Sequence, residues 1–296
     1  MPTHDLSALT NGFVGAHEVY RKQLLNWNIR KFGVQVRTNV NTPQALAKFA
    51  AAGNAMPYRK ADDFNGTVVT DRVLTAYQAK LDQELDPEDF RNEYLANNPN
   101  MPFNDYAMQA GAEKFLSDLM SDTLWTGIRD AAGTDAADIC DGWGTIIAAE
   151  IVGGDIVEVA TGAVTDANAV TKVEQVYEAC PIWMREKEEG VLMYCSYNIL
   201  DKYKKHYRTL NAFGFKRDEK GEYALDGVNA RLMPVSFMGT SQRIVATLPN
   251  NFVFGTDAER LSNHPTPHLN LLRNRILFPA GCQIKDLDAI QVNDQA

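Results

Sequence analysis

Between Asp226 and Asp257, apolar and polar residues alternate twice. Val228, Ala230 and Leu232 alternate with polar neighbours, Met233-Pro234-Val235 follows, and Arg243 to Leu248 alternates again before an apolar run from Asn251 to Gly255. A period of two places alternate side chains on one face, so the stretch reads as two short strands that meet a turn and come back. None of its side chains is an evident catalyst. A different period governs Asn104 to Trp125. There Met108, Ala112, Phe115, Leu116, Leu119 and Met120 form one apolar stripe, and Glu113, Lys114, Asp118 and Asp122 take the other side. The spacing predicts a helix roughly 30 Å long, stopped at Gly127.

The remaining pattern is weaker. Ala16 to Arg30 is loosely helical through Val19, Leu24, Leu25 and Ile29, and Gly33 to Val40 alternates as a strand. Thr42-Pro43 has the chemistry of a helix start and predicts a short helix through Ala52, ended by Gly53-Asn54. Met56 to Asp86 alternates through Thr67, Val69, Asp71 and Val73 and then Tyr77, Ala79 and Leu81, which suggests a long two-stranded ribbon. Such a ribbon has too few apolar groups for its own core, so something else must pack on it. Pro87 to Phe90 starts a short helix that the Asn97–Pro102 segment breaks.

Further along, Trp143 to Ile147 opens a packed helix and Ile156 to Thr161 a short strand unit. A helix spans 166–188, with Asp166 or Asn168 as cap, Val170, Val173, Val176 and Tyr177 on one face, and an interruption at Cys180-Pro181. Val191 to Cys195 is a buried strand, Ser196 caps a helix from Tyr197 to Leu210, and Lys216 to Glu222 is a charged hairpin tip. Leu261 to His268 reads as a proline-rich connector. The chain closes on strands around Leu272–Phe278 and Gln283–Ile290, with Pro279-Ala280-Gly281 as a turn.

Composition narrows the function classes. A chain of 296 residues that is 45% hydrophobic and 23% charged can bury a full core. Its formal charge of −9 argues against a protein whose task is to grip nucleic acid, which needs a positive surface. The basic face of Lys202, Lys204, Lys205 and Arg208 is weighed as a solvated face ahead of a nucleic-acid contact. Arg21, Lys22, Arg30, Lys31 and Arg37 make the N-terminal part the most basic, either as a solvated face or as an arm on an acidic neighbouring subunit. Cys140, Cys180, Cys195 and Cys282 are scattered without a C-x-x-C pair, so reduced, mostly buried thiols are expected. No run of about 18 apolar residues suggests a membrane span, and the start has no secretory pattern; a soluble protein made in a cytoplasm is expected.

No catalytic, cofactor-binding or metal-binding residue is assigned. The chain lacks Gly-x-Gly-x-x-Gly, a phosphate-binding Gly-x-x-x-x-Gly-Lys, His-Glu-x-x-His and Gly-x-Ser-x-Gly. Asp135, Asp138 and Asp141 are three apart, whereas a calcium loop places ligands at alternate positions. His264 and His268 are four apart with two prolines between, which forbids the helix that would bring both to one metal.

Taken together, Gly227 seven residues ahead of Pro234-Val235, Ile244-Val245-Ala246-Thr247, the closing Phe252-x-x-Gly255-Thr256-Asp257 and the Leu124-Trp125-Thr126-Gly127 transition resemble the major capsid proteins of tailed phages, the Hong Kong 97 fold. The order of elements carries the resemblance over nearly the whole chain. It implies an α+β fold with an N-terminal arm at 1–53, an extended β-hairpin flap at 54–86, and a peripheral domain with a long spine helix at 87–129. An axial α/β domain at 130–257 and C-terminal strands at 258–296, returning to the peripheral domain, complete the expectation. No enzymatic activity and no cofactor are implied.

The implied function is a structural subunit that self-assembles through homopentamers and homohexamers into an icosahedral capsid around double-stranded DNA, which it does not read by sequence. The virion capsid is the expected location, with synthesis in the host cytoplasm and no membrane partner. Portal, scaffolding and decoration proteins are the further partners the resemblance raises. The arm begins almost at Met1, so a separate scaffolding protein, or none, is expected. Lys60, Lys80 and Asn65 lie in the flap segment, but no crosslinking role is carried over to them. An encapsulin-type shell around a cargo enzyme, or a soluble α/β enzyme, are the alternative readings.

Overall fold

The computed structural model describes residues 20–24, 26–51, 67–85, 103–210, 223–257, 262–268 and 271–295. A helical segment at 20–24 and a 3-10 turn at Asn28–Phe32 lead into strand β1, Gln35–Arg37. β2, Gln44–Ala51, pairs antiparallel with β3, Thr67–Leu74, in unbroken register from Gln44 opposite Leu74 to Ala51 opposite Thr67. β4, Tyr77–Leu85, leaves that ribbon and pairs elsewhere. Helix α1, Phe103–Asp118, follows and closes as a π-turn at Leu119–Thr123.

Next come α2, Trp143–Gly153; β5, Glu158–Val159; α3, Ala169–Glu178; α4, Ile182–Arg185; β6, Val191–Cys195; and α5, Tyr197–Leu210. β7, Tyr223–Ala224; β8, Ala230–Pro234; β9, Val245–Thr247; β10, Phe252–Gly255; β11, Ser262–His268; β12, Leu271–Ile284; and β13, Ile290–Asn293, complete the described elements.

β6 explains how these elements layer. It is an interior member of a six-stranded sheet ordered β5-β13-β9-β6-β8-β7, and all five of its residues are buried. Leu192 and Tyr194 point into one hydrophobic cluster, and Val191, Met193 and Cys195 into another. A strand buried on both faces needs apolar residues at consecutive positions, which is what Val-Leu-Met-Tyr-Cys supplies. On one side of the sheet, α3 and α5 pack through Val170, Val173, Val176, Ile199, Leu200 and Tyr203. On the other lies the larger cluster, built from α1, α2, β10 and β12 around Trp143, Phe252, Phe254 and Phe278.

Both α1 and α3 bury the stripes their sequences mark out. Met108, Ala112, Phe115, Leu116 and Leu119 of the α1 region are buried, and Phe115 stacks on Phe278 at 4.3 Å between ring centroids. The side chain of Asn168 does not cap α3; His206 Nδ1 of α5 accepts the Val170 N–H at 3.1 Å and satisfies one of the first-turn donors.

Several local expectations are corrected. Residues 44–51 form β2 and not a helix, although Ala and Lys favour helices in isolation. Pairing with β3 wins, because it buries Leu46 with Leu74, Val40 and Val253. The two-stranded ribbon is therefore β2–β3, and β4 joins β12 instead of β3.

β8 and β9 do not return against each other. β6 lies between them, parallel to β8 and antiparallel to β9, and a 3-10 turn at Ser236–Met238 carries the chain across with Phe237 plugged into the core. The proline-rich segment 262–268 is not a loop but an edge strand. Pro265 and Pro267 are two apart, so their missing N–H groups fall on the same outer edge.

Nor is Pro279-Ala280-Gly281 a turn, since β12 runs straight through it. Residues 278–280 pair only with β4, and the Pro279 carbonyl faces Thr256 Oγ1 at 2.7 Å, so the absent N–H also faces away from β4. The expected helix at Pro87–Phe90 and the hairpin tip at Lys216–Glu222 lie outside the described residues.

Candidate assembly surfaces

The β2–β3 ribbon pairs with no third strand among the described residues, so what fixes its direction is side-chain chemistry at its root. Cross-strand register puts Gln44 and Leu46 of β2 on the same face as Leu74 and Arg72 of β3, with Lys48 next along β2 on that face. That face meets the body. Lys48 Nζ lies 2.7 Å from Asp286 Oδ1 and 2.5 Å from Asp288 Oδ2, in the turn after β12. Burial works against the Lys48 ammonium, but the two aspartates outweigh it and hold its pKa above the ordinary lysine value.

Arg72 Nη2 donates to Glu150 Oε1 of α2 at 2.6 Å and to Gln283 Oε1 of β12 at 3.0 Å. Between these two polar clamps, Leu46 and Leu74 pack against Val40 and Val253. The opposite face carries Ala45 and Val73, both exposed.

Where β3 hands over to β4, the backbone of Thr75 passes so close to β12 that a Cβ at position 281 would sit 2.0 Å from the Thr75 carbonyl oxygen. Only glycine allows that approach. Beyond the ribbon, exposed apolar side chains occur at Val152 and Val157, flanking the α2–β5 turn, at Ile182 and Trp183 of α4, and at Ile128, Tyr197 and Leu210. They are dispersed, as contact points on a surface are, and do not line an enclosed pocket.

The titratable groups weighed from sequence fall into structural roles. The Asp138 carboxylate accepts the Asp135 N–H at 3.0 Å and Asp141 accepts the Arg129 N–H at 2.8 Å, so both brace the loop before α2. His264 and His268 lie on β11, opposite Arg275 and Leu271 of β12. Lys202 donates to the Val164 carbonyl and to Gln242, Lys205 pairs with Asp166, and Lys204 lies 5.1 Å from the Tyr223 ring centroid, so three of the four cations on α5 are engaged within the chain. Among the described residues no three His, Cys, Asp or Glu side chains converge as a metal site.

The four cysteines are free and buried; burial pushes the Cys180 thiol up to about 12 and raises Cys195 and Cys282 as well. Lys80 is exposed on β4, 3.6 Å from Asp82, while Lys60 and Asn65 lie outside the described residues. No described helix is long and apolar enough to cross a membrane.

Sequence reasoning missed the clamp residues Lys48, Arg72, Glu150 and Asp286. Their only local signal is that Lys48 and Arg72 share a face with apolar residues once the β2–β3 register is known.

This architecture, with its mixed helices and strands, is shared with shell chains. The chain superposes on a chain of the satellite phage P4 procapsid, which includes the size determination (Sid) protein, with a TM-score of 0.58 at 11% identity, covering 99% of this chain and 91% of that one. The capsid of the myovirus phage XM1 gives a TM-score of 0.55 at 12% identity over 90% of each chain. The capsid of the empty gene transfer agent (GTA) particle gives 0.51 at 12% identity, over 90% of this chain and 88% of that chain. No protein-family model and no curated protein matches the sequence.

Proposed function

We propose that this chain is the repeating subunit of a phage-type capsid of the Hong Kong 97 class, a structural protein and not an enzyme. The observation that carries the reading is the shared fold with a P4 procapsid chain across 99% of the sequence. The ribbon β2–β3, clamped at its root and paired in a ladder with no third described strand, supports it, because such an element has a use when a neighbouring subunit packs on it.

On this reading the ribbon belongs to the flap, and α1 is the spine. β10, β11 and β12 belong to the peripheral domain, and the six-stranded sheet with α3 and α5 forms the axial domain. Homopentamers and homohexamers close the shell around double-stranded DNA, and the virion is where the protein resides, after assembly in the host cytoplasm. Scaffolding, portal and decoration proteins are its further partners. A chain of formal charge −9 suits a wall that does not snag packed DNA. The matched phage and gene-transfer-agent capsids favour a genome shell over a cargo compartment.

Sedimentation of the purified protein tests this. A fast species of megadalton mass, in equilibrium with capsomers, supports the subunit role. A lone boundary at 32.9 kDa over a wide concentration range overturns it.

A further inference from the structure

Cys140 and Cys282 are the two thiols that the fold brings together. Their sulfurs lie 4.0 Å apart, though the residues are 142 positions apart in sequence. Cys282 belongs to β12, opposite Phe254 of β10, whereas Cys140 sits in the irregular segment between the 3-10 turn Ala136–Asp138 and α2. Both thiols line a cavity of about 400 Å³, together with Thr75, Tyr77, Asp141 and Ile146, so the pair has a wall facing space and not only core. Cys180 and Cys195 belong to the other hydrophobic cluster, beyond the six-stranded sheet.

We propose that Cys140 and Cys282 are a redox modification site, a dithiol that a small disulfide oxidant converts into an internal crosslink. A sulfur–sulfur bond is about 2.05 Å long, so the pair must close by about 2 Å. Cys140 lies outside regular structure, in the loop braced by Asp138 and Asp141, and Cys282 is held in a strand, so the closure falls to side-chain rotation and a small shift of that loop. The step balances with the oxidant named. The thiolate of Cys282, the more exposed of the two at 9% against 1%, attacks one sulfur of the oxidant and expels a thiolate. The Cys140 thiolate then attacks Cys282 Sγ and expels the second. Two protons pass from the protein thiols to the two leaving thiolates, and two electrons reduce the oxidant's sulfur–sulfur bond.

The crosslink ties the loop before α2 to β12 next to Gln283, which holds Arg72 at the ribbon root. It closes a long loop of chain, so the oxidised form resists unfolding more than the reduced one. A reducing cytoplasm keeps the pair open and an oxidising exterior closes it. The inference rests on this chain's own geometry and holds whether or not the chain builds a shell.

The test uses the full folded chain and glutathione disulfide. After incubation the protein is denatured, its remaining thiols are trapped with N-ethylmaleimide, and peptides are mapped by mass spectrometry. Trapped thiols should fall from four to two, with Cys140 joined to Cys282 and Cys180 and Cys195 still free; the thermal midpoint should rise, and dithiothreitol should reverse both changes. Cys282→Ser should keep its three thiols under the same treatment. Four thiols persisting after prolonged exposure, a stable glutathione adduct at either position, or a link involving Cys180, Cys195 or a second chain overturns the proposal. If the variant fails to fold, the map of the unsubstituted chain still decides.

Discussion

The Arg72 clamp lends itself to a quantitative test. Its guanidinium reaches Glu150 on α2 at 2.6 Å and Gln283 on β12 at 3.0 Å, so one side chain fastens the ribbon to two elements of the body. The Arg72 and Glu150 side chains are 23% and 20% exposed, between a surface pair and a buried one. Exposed pairs contribute about 0.2–1 kcal/mol, and hydrogen bonds to charged groups about 1.5–3 kcal/mol when shielded, which places this coupling at about 1–1.5 kcal/mol.

Arg72→Met, Glu150→Gln and the double variant form the cycle. Urea unfolding of the unassembled subunit is the assay, because urea, unlike guanidinium chloride, does not screen ion pairs. Each single variant should lose about 1.5–2.5 kcal/mol, since each leaves a partly buried partner unmet. The double variant should fall short of their sum by about 1–1.5 kcal/mol. A coupling under about 0.3 kcal/mol would mean that the clamp does not hold the ribbon, and the account of its orientation would fail.

Other expectations concern the body of the fold. Gly281→Ala should cost about 3 kcal/mol or more, read as a lowered urea midpoint or loss of soluble protein, because its Cβ meets the Thr75 carbonyl rather than a movable side chain. Phe278→Ala removes a ring packed on both Phe115 and Tyr20 and should cost about 3–5 kcal/mol, with Phe278→Leu recovering much of it. Burial, and then the charge of Glu178, raise the Glu174 carboxyl above the ordinary glutamate value. A raised carboxyl favours the folded state below its unfolded pKa, and that benefit is lost as pH rises through the folded value. Glu174→Gln should therefore stabilise by a few tenths of a kcal/mol at pH 7, and the gain should vanish in melts near pH 4.

Elements whose burial follows one period were legible in the sequence. The stripe from Met108 to Leu119 and the Val170–Tyr177 face became buried helix faces, and the unbroken apolar run of β6 became a strand between two cores. Where pairing was non-local, the sequence misled. Residues 44–51 carry helix-forming Ala and Lys after a Thr-Pro start, and only β3, reached through a long excursion, makes them a strand. Pro279 and Pro265 read as breakers because their neighbours were unknown; at an unpaired edge a missing N–H costs nothing. The order of β8, β6 and β9 has no local signature at all, since a parallel neighbour is set by the crossover through α5. The clamps were hidden for the same reason: Lys48 and Asp286 are 238 positions apart.

The proposed shell role is tested most directly by electron cryo-microscopy of the purified, expressed protein at assembly concentration. The account predicts closed icosahedral particles whose pentamers and hexamers each fit this fold, with the β2–β3 ribbon of one subunit lying on its neighbour. A field of dispersed single chains, or an assembly in which the ribbon touches no second copy, contradicts it.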